Sequence, residues 1–391
     1  MMKGTRNLWR AIVALAIVGA MSFVAMSCKT DADGTQGQTK YEVYANDGTD
    51  TGATATPNTA TEGTEVTLNR GILAGHTFSH WQAVNPHDLT ITDNKFTMPA
   101  QNVSVLAIWL SEKDDFVMVP GGKFMMGSPA GTPSSDNKER PVREVTLSTF
   151  YMDKYPVTQK DYQAVMGSNP SNFKTNPATG EVQEKRPVEL VSWYDALVYA
   201  NKLSAAKGLT PAYEMPNVWP DPASYSTDTS KWGTVPLLNN AQWNNVRLTT
   251  GSTGYRLATE AQWEYVAQGG NYSSGNYMYS GSDTIYEVAW YSGNSGKQTH
   301  EVGKKAANGL GLYDMSGNVW EWVWDWYGTY PYIAEVDPSG PSSGEGRALR
   351  GGSWESLSAV YVRSTYRIYG FSFSSNFYRG FRLVRPSLTV Y

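Results

Sequence analysis

Cysteine is almost missing from this chain of 391 residues, with Cys28 the only one. No disulfide can close within the chain, and no site built from several thiolates can form. Histidine is also scarce: there are four, and beyond His87 only His300 remains, too few for a cluster of imidazole ligands. Charged residues are 17% of the chain and the formal net charge is −4. Such a balance lacks the basic footprint that a nucleic-acid partner requires. No P-loop and no H-E-x-x-H pattern occurs, and nothing marks a nucleophile that could pair with His300. The apolar run from Ala11 to Val24 is short for a membrane-spanning helix, which takes about 20 residues.

What is present begins with an export signal over residues 1–28. Lys3, Arg6 and Arg10 precede the apolar run, which ends at Ala25-Met26-Ser27-Cys28. This end resembles a bacterial lipoprotein signal, with Ala25 in the place usually held by Leu. The resemblance implies acylation of Cys28 and anchoring in the cell envelope, on the outer-membrane surface; a plain secretory signal is the other reading. Residues 29–39 are polar and suit a flexible tether. Strand-like runs start at Tyr41, Glu65 and Val103 and are separated by turn residues, which predicts a small all-β unit over 40–111. Its segments GTEVTL from Gly63, GHTFSHW from Gly75 and FTMPAQNV from Phe96 resemble the bacterial surface repeat of internalin-like proteins, which implies a spacer. On a strand, His76 and His80 would lie about 13 Å apart, so stacking or solvated histidines are expected rather than a metal pair.

From 115 to 387 one large domain is predicted. The chain's 14 Trp, 25 Tyr and 37 Gly, most of them in this domain, point to irregular structure pinned by buried rings. Capping signals predict three helices, over 158–166, 192–206 and 259–268. The second would bury Trp193, Ala196, Leu197, Ala200 and Leu203 on one face. With few helices and many short strands, an α+β class is expected.

Residues 350–382 differ in composition from all of this. Between Ser356 and Tyr378 there is no Lys, Asp, Glu, Gln, His, Met, Trp or Pro. Tyr and Ser dominate, the pair that antigen-combining loops favour for contact area and adaptable hydrogen bonding. A plainer alternative is a buried terminal strand over 359–369 with Val360, Val362 and Tyr366 in the core.

The motifs GLGLYDMSGNVWEW from Gly309, PGGKFMMGS from Pro120, YPVT from Tyr155, PVELVSW from Pro187, YRLATEAQWE from Tyr255, RGGSW from Arg350 and GFR from Gly380 resemble the sulfatase-modifying factor family of formylglycine-generating enzymes. The resemblance implies a C-type-lectin-like fold. It also implies copper held by two cysteines soon after the GGS motif, but Ser356 and Tyr361 stand near those places, so no copper is expected. Iron-dependent relatives use a histidine cluster, and no iron is expected either. A structural calcium ion is implied at Asp314, Gly317, Val319 and Glu321. The alternative there is that Asp314 caps a turn and Glu321 makes an internal ion pair.

Within the same fold, the segment resembles the variable proteins of diversity-generating retroelements. Adenine mutagenesis of Asn codons cannot reach Lys, Glu, Gln, Met or Trp, which are absent from 356–378. That resemblance implies a displayed ligand-binding surface at Ser356, Leu357, Ser358, Val360, Tyr361, Ser364, Tyr366, Ile368, Tyr369, Phe371, Ser372, Phe373, Ser374, Ser375, Phe377 and Tyr378. Gly351, Gly352, Trp354 and Phe381 would hold the backbone. The function expected is a lipid-anchored surface protein that binds a protein or other surface ligand without catalysis. A structural envelope lipoprotein and an oxidase are the alternatives.

Overall fold

The apolar run Val103–Ser111 becomes the longest link in the architecture. In the computed structural model, which describes residues 39–387 apart from 47–51, 74, 87, 112–115, 133–136, 217–223 and 271–276, it is a strand buried on both faces. Val105, Ala107 and Trp109 enter one hydrophobic cluster, while Leu106 and Ile108 enter a second. A strand covered on both sides reads as a continuous apolar run instead of an alternating one. The export signal with Cys28 lies outside the described residues.

From Tyr41 the described residues form one compact unit. The strand Val103–Ser111 pairs parallel with Lys40–Asn46, antiparallel with His76–Asn85, and at its end with Val117–Val119 through Leu110 and Val117. The sheet then continues to Phe150–Met152, Leu383–Pro386 and Arg256–Leu257, making eight strands that cross from the repeat into the larger domain. The repeat is therefore not an independent spacer. His76 stacks on Tyr151 at 5.5 Å and meets its hydroxyl at 2.6 Å, while His80 reaches the Gly309 carbonyl at 3.3 Å. His76 is thus a stacking histidine, and His80 is held by hydrogen bonds.

The three expected helices form where the capping signals lie. Helix α1 is Gln159–Met166, with the Thr158 side chain accepting from the Asp161 N–H. Helix α2 is Trp193–Ala206, closed by a reciprocal Ser192–Asp195 capping box. Helix α4 is Glu260–Ala267, with the same device between Thr259 and Gln262. Two short helices without a strong periodic signal, α3 (Ala241–Asn244) and α5 (Ile285–Val288), complete the set among the described residues. On α2, Trp193, Ala196, Leu197 and Ala200 are fully buried.

A four-stranded sheet in the order Arg367–Gly370, Arg347–Arg350, Trp320–Trp326, Arg379–Phe381 carries the C-terminal segment. The fold is α+β, as expected, with a small all-β region ahead of it. The segment 359–369 is not a single buried strand: Ala359–Val362 is a turn of 3-10 helix, and the strand starts only at Arg367. Val362 is fully buried, while Val360 and Tyr366 are half-buried.

Removing the α2 cap by Ser192→Ala is expected to cost about 1 kcal/mol. Urea unfolding should report it as a lower midpoint at unchanged slope.

Candidate ligand-binding surface

Helix α4 places Glu260 and Glu264 one turn apart, both buried. Like charges at this spacing repel unless countercharged. The C-terminal segment supplies the countercharges. Arg367 clasps Glu260 with Nε–Oε1 2.6 Å and Nη2–Oε2 2.5 Å, and Arg350 pairs with Glu264. Burial alone would raise the Glu260 pKa, but Arg367 and Arg350 hold it below the usual carboxylate range. Two further clamps lie at either side. Arg363 meets both oxygens of Glu139 at 2.9 and 2.5 Å, and Arg382 meets both oxygens of Glu321 at 2.8 and 2.7 Å. Bidentate arginine–carboxylate pairs fix orientation as well as position.

The main chain is pinned as firmly. The N–H groups of Trp193, Leu190 and Trp320 donate to the carbonyls of Ser372, Asn376 and Tyr378 at 3.0, 3.0 and 2.8 Å. Gly351 and Gly352 adopt φ of 92° and 74°. A Cβ on Gly352 would stand 2.5 Å from Val362 Cγ1 and 2.6 Å from the Tyr361 carbonyl, so only glycine fits that turn. Trp354 donates its indole N–H to the Phe377 carbonyl at 3.1 Å, and Phe381 is fully buried.

On this frame, Leu357 is 85% exposed, Tyr361 38%, Tyr369 42%, Phe371 50% and Phe377 38%. Ser375 is exposed as well, and Ser358, Val360, Tyr366, Ile368, Phe373, Ser374 and Tyr378 are half-buried. The rings support one another: Phe371 stacks on Phe373 at 5.7 Å, Tyr361 packs against Tyr366 at 5.1 Å, and Tyr369 against Tyr327 at 5.2 Å.

Three serines expected on the surface are buried instead. Ser356 closes a turn by accepting from the Ser353 N–H at 2.9 Å. The Ser364 N–H donates to the Met278 carbonyl at 3.0 Å. Ser372, whose carbonyl receives the Trp193 N–H, sits with its hydroxyl beside Tyr194. Each is held by backbone bonding, which composition does not record.

The calcium expectation at Asp314, Gly317, Val319 and Glu321 does not fit the donor set. Both Glu321 oxygens are engaged by Arg382, and Oε2 also accepts the Trp263 indole N–H at 2.7 Å. A divalent cation there would lie against a guanidinium. Asp314 accepts the Gly303 N–H at 2.8 Å and bonds Asn318 at 3.3 Å, with its own φ at 55°. Burial pushes its pKa up to about 6. These are the turn and the ion pair of the alternative reading. His300 is buried between acceptors, with Glu181 Oε1 and the Ser295 carbonyl each at 2.7 Å, and it stacks on Trp290 at 3.8 Å. No ring nitrogen is left for a nucleophile.

Residues 109–387 match the sequence family described as Sulfatase-modifying factor enzyme 1-like domain. The chain belongs to this family. Residues 39–113 match the Divergent InlB B-repeat domain. Among similar proteins, the Chaperone protein LppX of Paenibacillus barcinonensis is 39% identical over 62% of this chain and 79% of its own length. The Formylglycine-generating enzyme of Streptomyces coelicolor is 31% identical over 61% and 78%. A solved structure, Treponema denticola variable protein 1, superposes with a TM-score of 0.60 at 39% identity, covering 70% of this chain and 95% of that one. The proteins similar to this chain thus include ones named as enzymes and ones that are not.

The arginine clamps escaped sequence reasoning. The available signal was the survival of Arg363 and Arg367 in a stretch with no other charged residue, opposite a Glu260/Glu264 pair at helical spacing.

Cutting one clamp with Arg367→Met should strand Glu260 and cost about 3–5 kcal/mol, whereas Tyr369→Ala should stay within about 0.5 kcal/mol. Chemical denaturation of the two variants side by side tests the division between frame and face. Burial, followed by Glu260, raises the pKa of Asp325 to about 7. Its proton is then held more tightly in the folded state, so its contribution to stability is lost as pH rises from about 4 towards 7. Melting temperatures at about pH 5 and pH 8 should show Asp325→Asn gaining on the wild type at the higher pH; an unchanged gap would refute the assignment.

Proposed function

We propose that this chain is a surface-displayed protein that binds a protein ligand through residues 356–378 without catalysis, and that this face is diversified by retroelement mutagenesis. The observation that carries the reading is the split between frame and face. Tyr369, Phe371 and Phe377 project outward from a main chain held by four buried arginines and by backbone bonds that none of these side chains makes. Exposed, mutually supported rings on a rigid backbone are the usual anchors of a protein–protein contact. The likeness to the variable protein of Treponema denticola supports the same reading. Display on the outer-membrane surface rests on the sequence around Cys28, which would be the acylated residue.

The oxidase alternative has little to stand on. Where the family resemblance implies two copper-binding thiolates, Ser356 is a buried turn serine and Tyr361 an exposed ring packed against its neighbour.

Selection of ligands from an array of host and bacterial surface proteins, followed by titration, tests the proposal. Tyr369→Ala and Phe371→Ala should each weaken binding by about 2 kcal/mol or more, close to 30-fold. Unaltered affinity in both variants would remove the face from consideration. Diversification has its own check: the neighbouring DNA should hold a near-copy of the codons for 350–382 that differs at adenines, beside a reverse transcriptase gene. Copper loading with a thiol substrate should give no oxygen consumption.

A further inference from the structure

Unlike the four clamped arginines, Arg347 pairs with no carboxylate among the described residues. It is 2% exposed and lies between two indoles, with its guanidinium carbon 3.8 Å from the Trp193 ring centre and 3.6 Å from that of Trp326. Along its edge, Nη1 donates to the Trp324 carbonyl at 2.8 Å, while the Nε–H meets no acceptor among the described residues. Asp325, the acidic group that acts on it most strongly, already accepts the Glu260 N–H at 2.8 Å. Burial lowers the Arg347 pKa to about 9, which Asp325 only partly offsets. A buried cation without a counterion is costly, and an unmade hydrogen bond on a buried donor adds to that cost.

Arg347 is among the residues that line a cavity of about 380 Å³. The walls are Trp324 and Trp326, and the rim carries the polar side chains of Asn244, Asn245, Ser339 and Ser342. The volume suits an amino-acid-sized group. Indoles flank the space where an acyl chain would lie, and the amide and hydroxyl groups of the rim can complete the bonding of a charged head. Arg347 is the only basic residue among the lining, which favours a singly charged anion over a phosphate dianion. The planar edge of a guanidinium matches the two oxygens of a carboxylate.

We infer that the Arg347 cavity is a binding site for a carboxylate, separate from the aromatic face. The carboxylate can arrive as a chain terminus or as an acidic side chain, and the two sources differ in the group that carries it. The site does not depend on the displayed-surface reading, because none of its lining residues belongs to 356–378.

Isothermal titration and saturation-transfer NMR on the full chain use two probes. N-acetylglycine represents a chain terminus, and N-acetyl-L-glutamic acid α-amide a side chain; N-acetylglycinamide and N-acetylglutamine α-amide are their neutral counterparts. At least one acid should bind with a dissociation constant in the millimolar range or tighter, and its amide at least about tenfold more weakly. Whichever acid binds identifies the source. Ser342→Phe, at the exposed rim, should abolish binding while the circular dichroism spectrum is retained. Tyr369→Ala should leave it intact, which separates failure here from failure of the aromatic face. No transfer from either acid up to about 20 mM, equal binding of acid and amide, or full binding by Ser342→Phe would each overturn the inference.

Discussion

The pairing of Glu260 and Glu264 with Arg367 and Arg350 is the constraint on which the rest of the C-terminal half depends. Helix α4 is buried on all sides, so its two carboxylates can enter the core only if opposite charge arrives with them. That charge comes from residues 86 and 107 positions later. The helix and the closing segment must therefore dock together, and neither is complete alone. Replacing such pairs with apolar residues can be neutral or even stabilising. What they supply here is geometry: each guanidinium fork admits one orientation of the chain, at Arg350, Arg363, Arg367 and Arg382, on either side of and within residues 356–378.

How much of this was legible in the sequence depends on the range of each interaction. Capping boxes at Ser192 and Thr259 act over three residues, and both helices start where those residues predict. Strand runs at Glu65 and Val103 were equally plain, because burial on one face or two is written as alternation or as a continuous apolar run. The motifs from Gly309 and Arg350 carried the family. The clamps were not legible, since Arg363 and Glu139 are 224 positions apart and nothing local distinguishes a paired arginine from a solvated one. The same blindness affected Glu321: a carboxylate in a tight turn looks like a calcium ligand until Arg382, 61 residues on, is seen to occupy it. Ser356, Ser364 and Ser372 failed for another reason. Their burial is decided by what their backbone bonds, and a Ser-rich composition is the same inside or out.

The N-terminal repeat illustrates how a module boundary in sequence need not be one in space. The strand Val103–Ser111 has strands of the repeat on both edges and begins the larger domain's pairing at Leu110 and Val117. Its two faces feed two different clusters. Arg385 reaches back to Ser111 at 2.9 Å, and the His76–Tyr151 stack ties the sheet's flank.

Any process that alters residues 356–378 meets two unlike kinds of position. At Tyr369, Phe371 and Phe377 the side chain leaves the surface and the backbone is held by other groups, so a change of size or polarity meets mostly solvent. At Ser356, Ser364 and Ser372 a larger side chain would enter close-packed surroundings, where overpacking costs about 1–3 kcal/mol. Loss of Arg363 or Arg367 would leave a buried glutamate uncompensated, which is worse still. Against a total stability of about 5–15 kcal/mol, indiscriminate change would exhaust the fold within a few substitutions. A segment that varies freely must therefore vary at its outward residues and keep its small serines and its arginines, and those retained residues are what make the variable ones affordable.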